Sequence, residues 1–338
     1  MYKYGIIGFG GLGKIHLSNL MALQKERGDI ELAAICGTTL ENACKLTSLN
    51  LGSVQLSESD FASCAFYDDY KEMVQNEPLD FVLSVLPSYL HAEVAVYCME
   101  HGMDVFSEKP MALSEKDCVK MIQTSEKTGK KLVIGQCQRF CHAYRQIKHF
   151  TQSKQYGKVY RAKFIRLSQT PLWTWNNWIT KRELSGGCVV DMHVHDTDLI
   201  NWIFGAPKSV QSYITSNKVE YEGITSRFDY GDFSVTAEAD WSFPQKFPFT
   251  AECIINYEKA TVVLKNNTLT IYDDEHVTEA ESEAEDYFYK EIKAFVDYVT
   301  TNTMNPDLDA RSVLASMKLV MSEIQSAESK EIVYLGKQ

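Results

Sequence analysis

Along the first 120 or so residues, short runs of consecutive apolar residues alternate with longer stretches that are apolar only every third or fourth position. The runs KYGIIGF (3–9), ELAAIC (31–36), AFY (65–67), DFVLSVLP (80–87), DVFSEKP (104–110) and KLVIGQ (131–136) predict buried strands. The stretches between them predict helices over 13–27, from the start of LENACKLTSL (40–49), and over DDYKEMVQN (68–76), YLHAEVAVYCMEHG (89–102) and SEKDCVKMIQTSEKTG (114–129). Residues 50–64 are polar and irregular, as a surface insertion would be. Strand–helix alternation with short connections predicts a parallel, doubly wound sheet.

Beyond residue 150 the pattern changes. KVYRAKFIRL (158–167) predicts a long strand, and a helix is expected over 187–204. Strand-like runs then follow at 208–216, 225–243, 249–256, 259–264 and 267–273, with EKA and KNN as turn signals. Consecutive strands with short turns predict a mostly antiparallel sheet. Helical patterns at 284–301 and 309–327 and a last strand, EIVYL, follow it. The expected architecture is α/β: a doubly wound parallel domain over 1–122, then an α+β domain over 123–338 with a large, open, mostly antiparallel sheet.

Composition narrows the class of protein. At 338 residues, 45% hydrophobic and 23% charged, the chain is an ordinary globular one with room for two cores. A formal charge of −11 disfavours nucleic acid and anionic membranes as partners. No stretch approaches the roughly 18 apolar residues of a membrane span, and MYKYGIIGFGG lacks the basic start of a signal peptide. Nine cysteines with no C-x-x-C pair suit reduced thiols, so a cytoplasmic location is expected.

Candidate chemistry begins at the first strand–helix junction. Gly8-Phe9-Gly10-Gly11-Leu12-Gly13 is a G-x-G-x-x-G at the place where a dinucleotide-binding turn belongs. Gly8 permits the tight turn, Gly10 the approach of a pyrophosphate, and Gly13 the contact between helix and sheet. A helix N-terminus there offers amides to the phosphates. The end of the second strand reads Gly37-Thr38-Thr39, with neither the acid that binds an adenosine ribose nor the arginine that suits a 2′-phosphate. NAD and NADP both stay open, with Thr38 as a contact. Leu86-Pro87 ends the fourth strand, His91 lies a turn into the next helix, and Glu108-Lys109-Pro110 ends the fifth. Ligands gather at such strand ends, which makes Lys109 a candidate functional group.

GGCVVDMHVHDTDLINWIFG (186–205) carries three acids and two histidines among apolar residues. On a continuous helix at about 100° per residue, Asp191, His195, Asp198 and Trp202 fall within roughly 60° of one another, with His193 on the far side. A buried structural histidine, or acids in a salt bridge, is the plain alternative. A metal shared by His193 and His195 would need a broken helix, so none is expected. Trp173, Trp175 and Trp178 in the preceding loop suit stacking on a sugar or anchoring of the loop. Trp178 and Arg166 are candidates for a substrate wall, and Arg139, His142 and Tyr144 for the rim of the crevice.

GIIGFGGLGKIH, LPSYLHAEVAVYCMEHGMDVFSEKPMALS, IGQCQRF and SGGCVVDMHVHDTDLINWIFG together resemble the Gfo/Idh/MocA oxidoreductases, in order and over most of the chain. The resemblance implies a Rossmann domain joined to a sheet domain that packs into homodimers or homotetramers. It implies a nicotinamide cofactor, a small carbohydrate or polyol substrate, and three catalytic residues: Lys109 near the nicotinamide, Asp191 as the substrate-site carboxylate, and His195 as the catalytic histidine. Asp191 and His195 would also bind substrate. The expected reaction is hydride transfer at a ring hydroxyl or carbonyl of a sugar, glycoside or cyclic polyol. His195, near neutral pKa, suits the proton transfer that accompanies it. Redox-neutral glycoside cleavage with tightly held NAD, reduction of an imine or enone, and a non-catalytic NAD(P)-sensing protein are the alternatives.

Overall fold

A computed structural model gives the fold and describes residues 1–49, 52–172, 174–265, 267–280 and 286–336. The chain forms two compact units. The first comprises 1–112, 116–137 and 286–311; the second comprises 113–115, 138–285 and 312–338.

In the first unit six strands form a parallel sheet ordered Ala65–Tyr67, Ile30–Cys36, Tyr2–Ile7, Phe81–Ser84, Asp104–Glu108, Leu132–Gly135. The strand order reverses between Tyr2–Ile7 and Phe81–Ser84, the topological switch point of a Rossmann sheet. The strands are continuous apolar runs because both faces of the sheet are covered. Phe81–Ser84 and Leu132–Gly135 are buried at every residue.

The boundary falls after residue 137 rather than 122, because Leu132–Gly135 and the helix before it, Glu115–Thr128, complete this sheet and its cover. The helix Tyr287–Thr301 also belongs here, although it follows eight of the nine strands of the second sheet in sequence. Phe295 packs 5.6 Å, centroid to centroid, from both Phe81 and Phe106, and Phe288 meets His16 edge-on. Arg27 joins Asp29 on one side and Asp297 and Thr300 on the other, holding the first helix, Gly11–Arg27, against this last one. The expected second helix shrinks to Leu40–Ala43, and Thr47–Leu49 pairs with Gly52–Val54 in a small hairpin. Residues 50 and 51 of the expected polar insertion lie outside the described residues.

The second unit carries a nine-stranded sheet. Its centre is Val159–Gln169, flanked antiparallel by Thr250–Tyr257 and parallel by Ser234–Phe243, the one parallel pair. The expected 225–243 run is two strands, Gly223–Asp229 and Ser234–Phe243, reversed at Gly231, whose φ of 91° suits glycine. Ser234–Phe243 alternates buried and half-buried along most of its length, as a sheet covered on one face must. The covered face meets the helices His142–Ser153 and Val194–Phe204 through Phe164, Val235, Ile255, Ile147, Leu199 and Ile203. Among the described residues, no helix is long and apolar enough to cross a membrane.

Candidate active site

Gly8 closes the first strand at φ 90°, and a Cβ there would lie 2.4 Å from the Val85 carbonyl oxygen. A Cβ on Gly13 would come 2.5 Å from the Gly8 carbonyl oxygen, so helix and turn touch there backbone to backbone. Gly10 differs: a Cβ at that position meets nothing within 4 Å. The first helical hydrogen bond runs from Lys14 N–H to Gly10 O, so the amides of Gly11, Leu12 and Gly13 precede the ladder. No acid sits in the first helical turn. Open space above Gly10 beside unladdered amides gives the turn room and donors for an anion such as a pyrophosphate. The Phe9 ring turns inward onto Phe61, leaving its backbone as the part able to face a ligand.

At the end of the second strand, Thr39 caps the short helix by accepting from Asn42 N–H, so its oxygen is engaged. Thr38 is half-buried, and the first acid, Glu41, points to Lys45 at 3.2 Å. The turn therefore places no carboxylate at 37–39 to repel a 2′-phosphate.

Leu86, Pro87 and Lys109 are half-buried at strand ends of this sheet. Lys109 precedes a cis proline, and its N–H donates to Glu108 Oε2 at 3.1 Å. Two expected cofactor contacts prove to be supports instead. His91 is 1% exposed, with Nδ1 2.7 Å from Pro110 O and Nε2 2.8 Å from Leu86 O. It ties the segments at Leu86 and Pro110 together, and burial holds its pKa below the usual range against the pull of those carbonyls. Glu108 is buried against His16, Oε1 to Nε2 at 2.6 Å. Burial raises its pKa, but the His16 hydrogen bond and the neighbouring positive charge outweigh that and hold it low.

In the second unit the expected helix is two: Gly187–Asp191 and Val194–Phe204. At the junction His193 N–H bonds back five residues to Cys188 O at 2.8 Å, and Asp196 N–H only three, to His193 O. This over-wide turn resets the wheel. Between residues 187 and 200 only Asp191 and His195 are not buried.

Each remaining polar group has a dedicated partner. Arg139 Nε and Nη2 donate to Asp198 at 2.8 and 2.6 Å, and Nη1 donates to Ser312 Oγ. Arg166 Nε and Nη2 donate to Asp196, both at 2.9 Å. His193 Nε2 lies 2.7 Å from Glu323 Oε1, whose Oε2 accepts from Thr197. Trp241 Nε1 donates to Met192 Sδ. Asp198 therefore leaves the expected reactive face and becomes the counter-ion of a buried arginine. Trp202 leaves it too, under the Lys148 ammonium 3.8 Å from its ring. Arg166, at 3% exposure, supports the helix through Asp196 rather than walling a substrate.

Two family models match most of the chain. One, for an oxidoreductase family with an NAD-binding Rossmann fold, matches residues 2–136. The other, for the GFO/IDH/MocA C-terminal domain, matches 144–280. The chain belongs to the Gfo/Idh/MocA family. Among family relatives, a 2,7-anhydro-N-acetylneuraminate hydratase of Mediterraneibacter gnavus is 28% identical over 65% of this chain and 54% of its own length. A D-glucoside 3-dehydrogenase of Escherichia coli is 27% identical over 62% of this chain and 57% of its own. The chain thus spans little more than half the length of these curated relatives. The WlbA dehydrogenase of Bordetella pertussis, solved with NADH and UDP-GlcNAcA, shares the fold with a TM-score of 0.78 at 19% identity, covering 99% of each chain.

Of the remaining expected residues, Arg139 and Tyr144 are buried within the second unit and His142 is half-buried near Gln146. Trp178 is half-buried after two left-handed asparagines, Trp175 is 72% exposed, and Trp173 lies outside the described residues. Reading the sequence missed Asp196 and Glu323 as the groups that fix the helix. Only a distant partner distinguishes either from a surface acid.

Proposed function

We propose that this Gfo/Idh/MocA protein is an NAD(P)-dependent dehydrogenase acting at a ring hydroxyl or carbonyl of a sugar, glycoside or cyclic polyol. The observation that carries the reading is the pair Asp191 and His195, the only unburied groups on a helical segment whose other charges are all locked in place. A D-glucoside 3-dehydrogenase among the relatives supports the substrate class. The dinucleotide is held by the backbone of Gly8, Phe9, Gly10, Gly11, Leu12 and Gly13, with Thr38 at the ribose and Leu86, Pro87 and Lys109 towards the reacting end. When bound, a nicotinamide supplies the hydride acceptor.

The chain's own groups do the rest. His195 Nδ1 is buried, so Nε2 is the nitrogen that takes the hydroxyl proton. Asp191 accepts a hydrogen bond from a neighbouring hydroxyl and fixes the ring. The Lys109 ammonium stabilises the alkoxide as it forms. The protein works in the cytoplasm as a homodimer or homotetramer.

The test is a screen at 340 nm with NAD⁺ or NADP⁺ against sugars, glycosides and inositols. Absorbance rising with one polyol class supports the reading. Consumption of a glycoside with no net absorbance change would replace it with redox-neutral cleavage, and no turnover of any substrate would reject it.

A further inference from the structure

Gln136 follows the last strand of the parallel sheet, Leu132–Gly135, and is 2% exposed. Its backbone N–H bonds to Ile134 O, but neither Oε1 nor Nε2 of its side chain has a hydrogen-bond partner. Leaving a buried donor and a buried acceptor unmade is expensive, and native proteins rarely do so without a use for the group. The position suggests the use. Glu108 pairs with Gly135, so the next step in register sets Gln136 beside Lys109 at the carboxyl edge of the sheet, where ligands of such folds bind. Ser84 Oγ, at the end of Phe81–Ser84, is likewise buried without a partner.

A primary carboxamide presents an acceptor and a donor side by side on one trigonal carbon. The group that satisfies both at once is one with a donor and an acceptor side by side, such as another primary carboxamide. We propose that Gln136 binds the carboxamide of the nicotinamide. Its Nε2 donates to the ligand's carbonyl oxygen and its Oε1 accepts from the ligand's amide, fixing which face of the ring is presented. This inference rests on the cofactor reading above.

The test compares the wild type with Gln136→Leu, and with Gln136→Met as an unbranched second variant, by fluorescence titration. The probes are NADH (or NADPH, whichever the wild type binds), its reduced 3-acetylpyridine analogue, in which a methyl replaces the amide nitrogen, and ADP-ribose (2′-phosphorylated in the NADPH case). Binding of the reduced dinucleotide should weaken by about 3- to 10-fold in the variants, the scale of one or two neutral hydrogen bonds. Preference for it over the analogue should vanish, while ADP-ribose affinity and the melting temperature of the ligand-free protein stay unchanged or, for melting, rise. Unaltered dinucleotide affinity, or an equal loss for ADP-ribose, would overturn the role of Gln136 while leaving the cofactor reading standing. A wild type that binds neither NADH nor NADPH would overturn both.

Discussion

Asp198→Ala should be one of the most damaging single changes in the second unit, and for a structural reason. Asp198 and Arg139 are each 1% exposed at the side chain and meet through two hydrogen bonds of 2.8 and 2.6 Å. Truncating the acid removes the hydrogen bonds of Nε and Nη2 and the opposite charge they meet, at a side chain shielded from water. Breaking a buried pair from one side costs about 3–5 kcal/mol, chiefly because the remaining ion is uncompensated. For a unit of this size that corresponds to roughly 6–20 °C in melting temperature. Thermal and urea unfolding of both proteins would measure it. A shift below about 2 °C would refute the assignment. So would a collapse of turnover at unchanged stability, because that would return Asp198 to the reactive face where a continuous helix would put it.

Three further outcomes follow from the same geometry. His195→Ala should lower turnover by roughly 10²–10⁴-fold with cofactor affinity near normal, and unchanged turnover would remove His195 from the reaction. Gly10→Ala should melt within about 1 kcal/mol of wild type yet bind dinucleotide poorly, because its methyl fills the open space above the turn. Gly13→Ala should lose stability, because its methyl meets the Gly8 carbonyl oxygen; equal melting of the two variants would contradict this. His193 feels burial most, which lowers its pKa, but Glu323 outweighs that and raises it above the free value. Its charged form is therefore favoured by folding. The stabilisation is complete below about pH 6.5 and is lost as pH rises through the higher folded pKa. Melting temperature should fall between about pH 6.5 and 7.5, above the range where the depressed His91 acts with the opposite sign and below that where unfolded thiols ionise, and Glu323→Gln should flatten the profile.

Elements with strong local patterns were legible in the sequence. The six short apolar runs became the parallel sheet, and the glycine turn stands at the switch point. The wheel puts Asp191 and His195 on one face of the segment, and the structure leaves both of them half-buried. The helix around them was not legible, because a wheel assumes one constant turn and the bond from His193 to Cys188 skips a residue. That shift buries Asp198 and leaves Asp191 and His195, one on each side of the break, half-buried. Tyr287–Thr301 reads as an amphipathic helix in any context, and nothing in its periodicity says that Phe288 and Phe295 belong with His16, Phe81 and Phe106. Gln136 gave no signal at all, because an amide side chain is noticed only when its partners are absent.

That late helix also sets a timetable for synthesis. A ribosome that has finished the sixth strand at Gly135 still has 166 residues (301 − 135) to add before the segment covering Phe81 and Phe106 is complete. At typical elongation rates this takes roughly 10–30 s, far longer than an apolar surface collapses onto whatever is nearby. Throughout that interval the nascent dinucleotide-binding unit carries an uncapped aromatic face. The newborn chain is therefore a natural client for a holdase, and a message truncated before Tyr287–Thr301 would yield an aggregating product rather than a small stable domain.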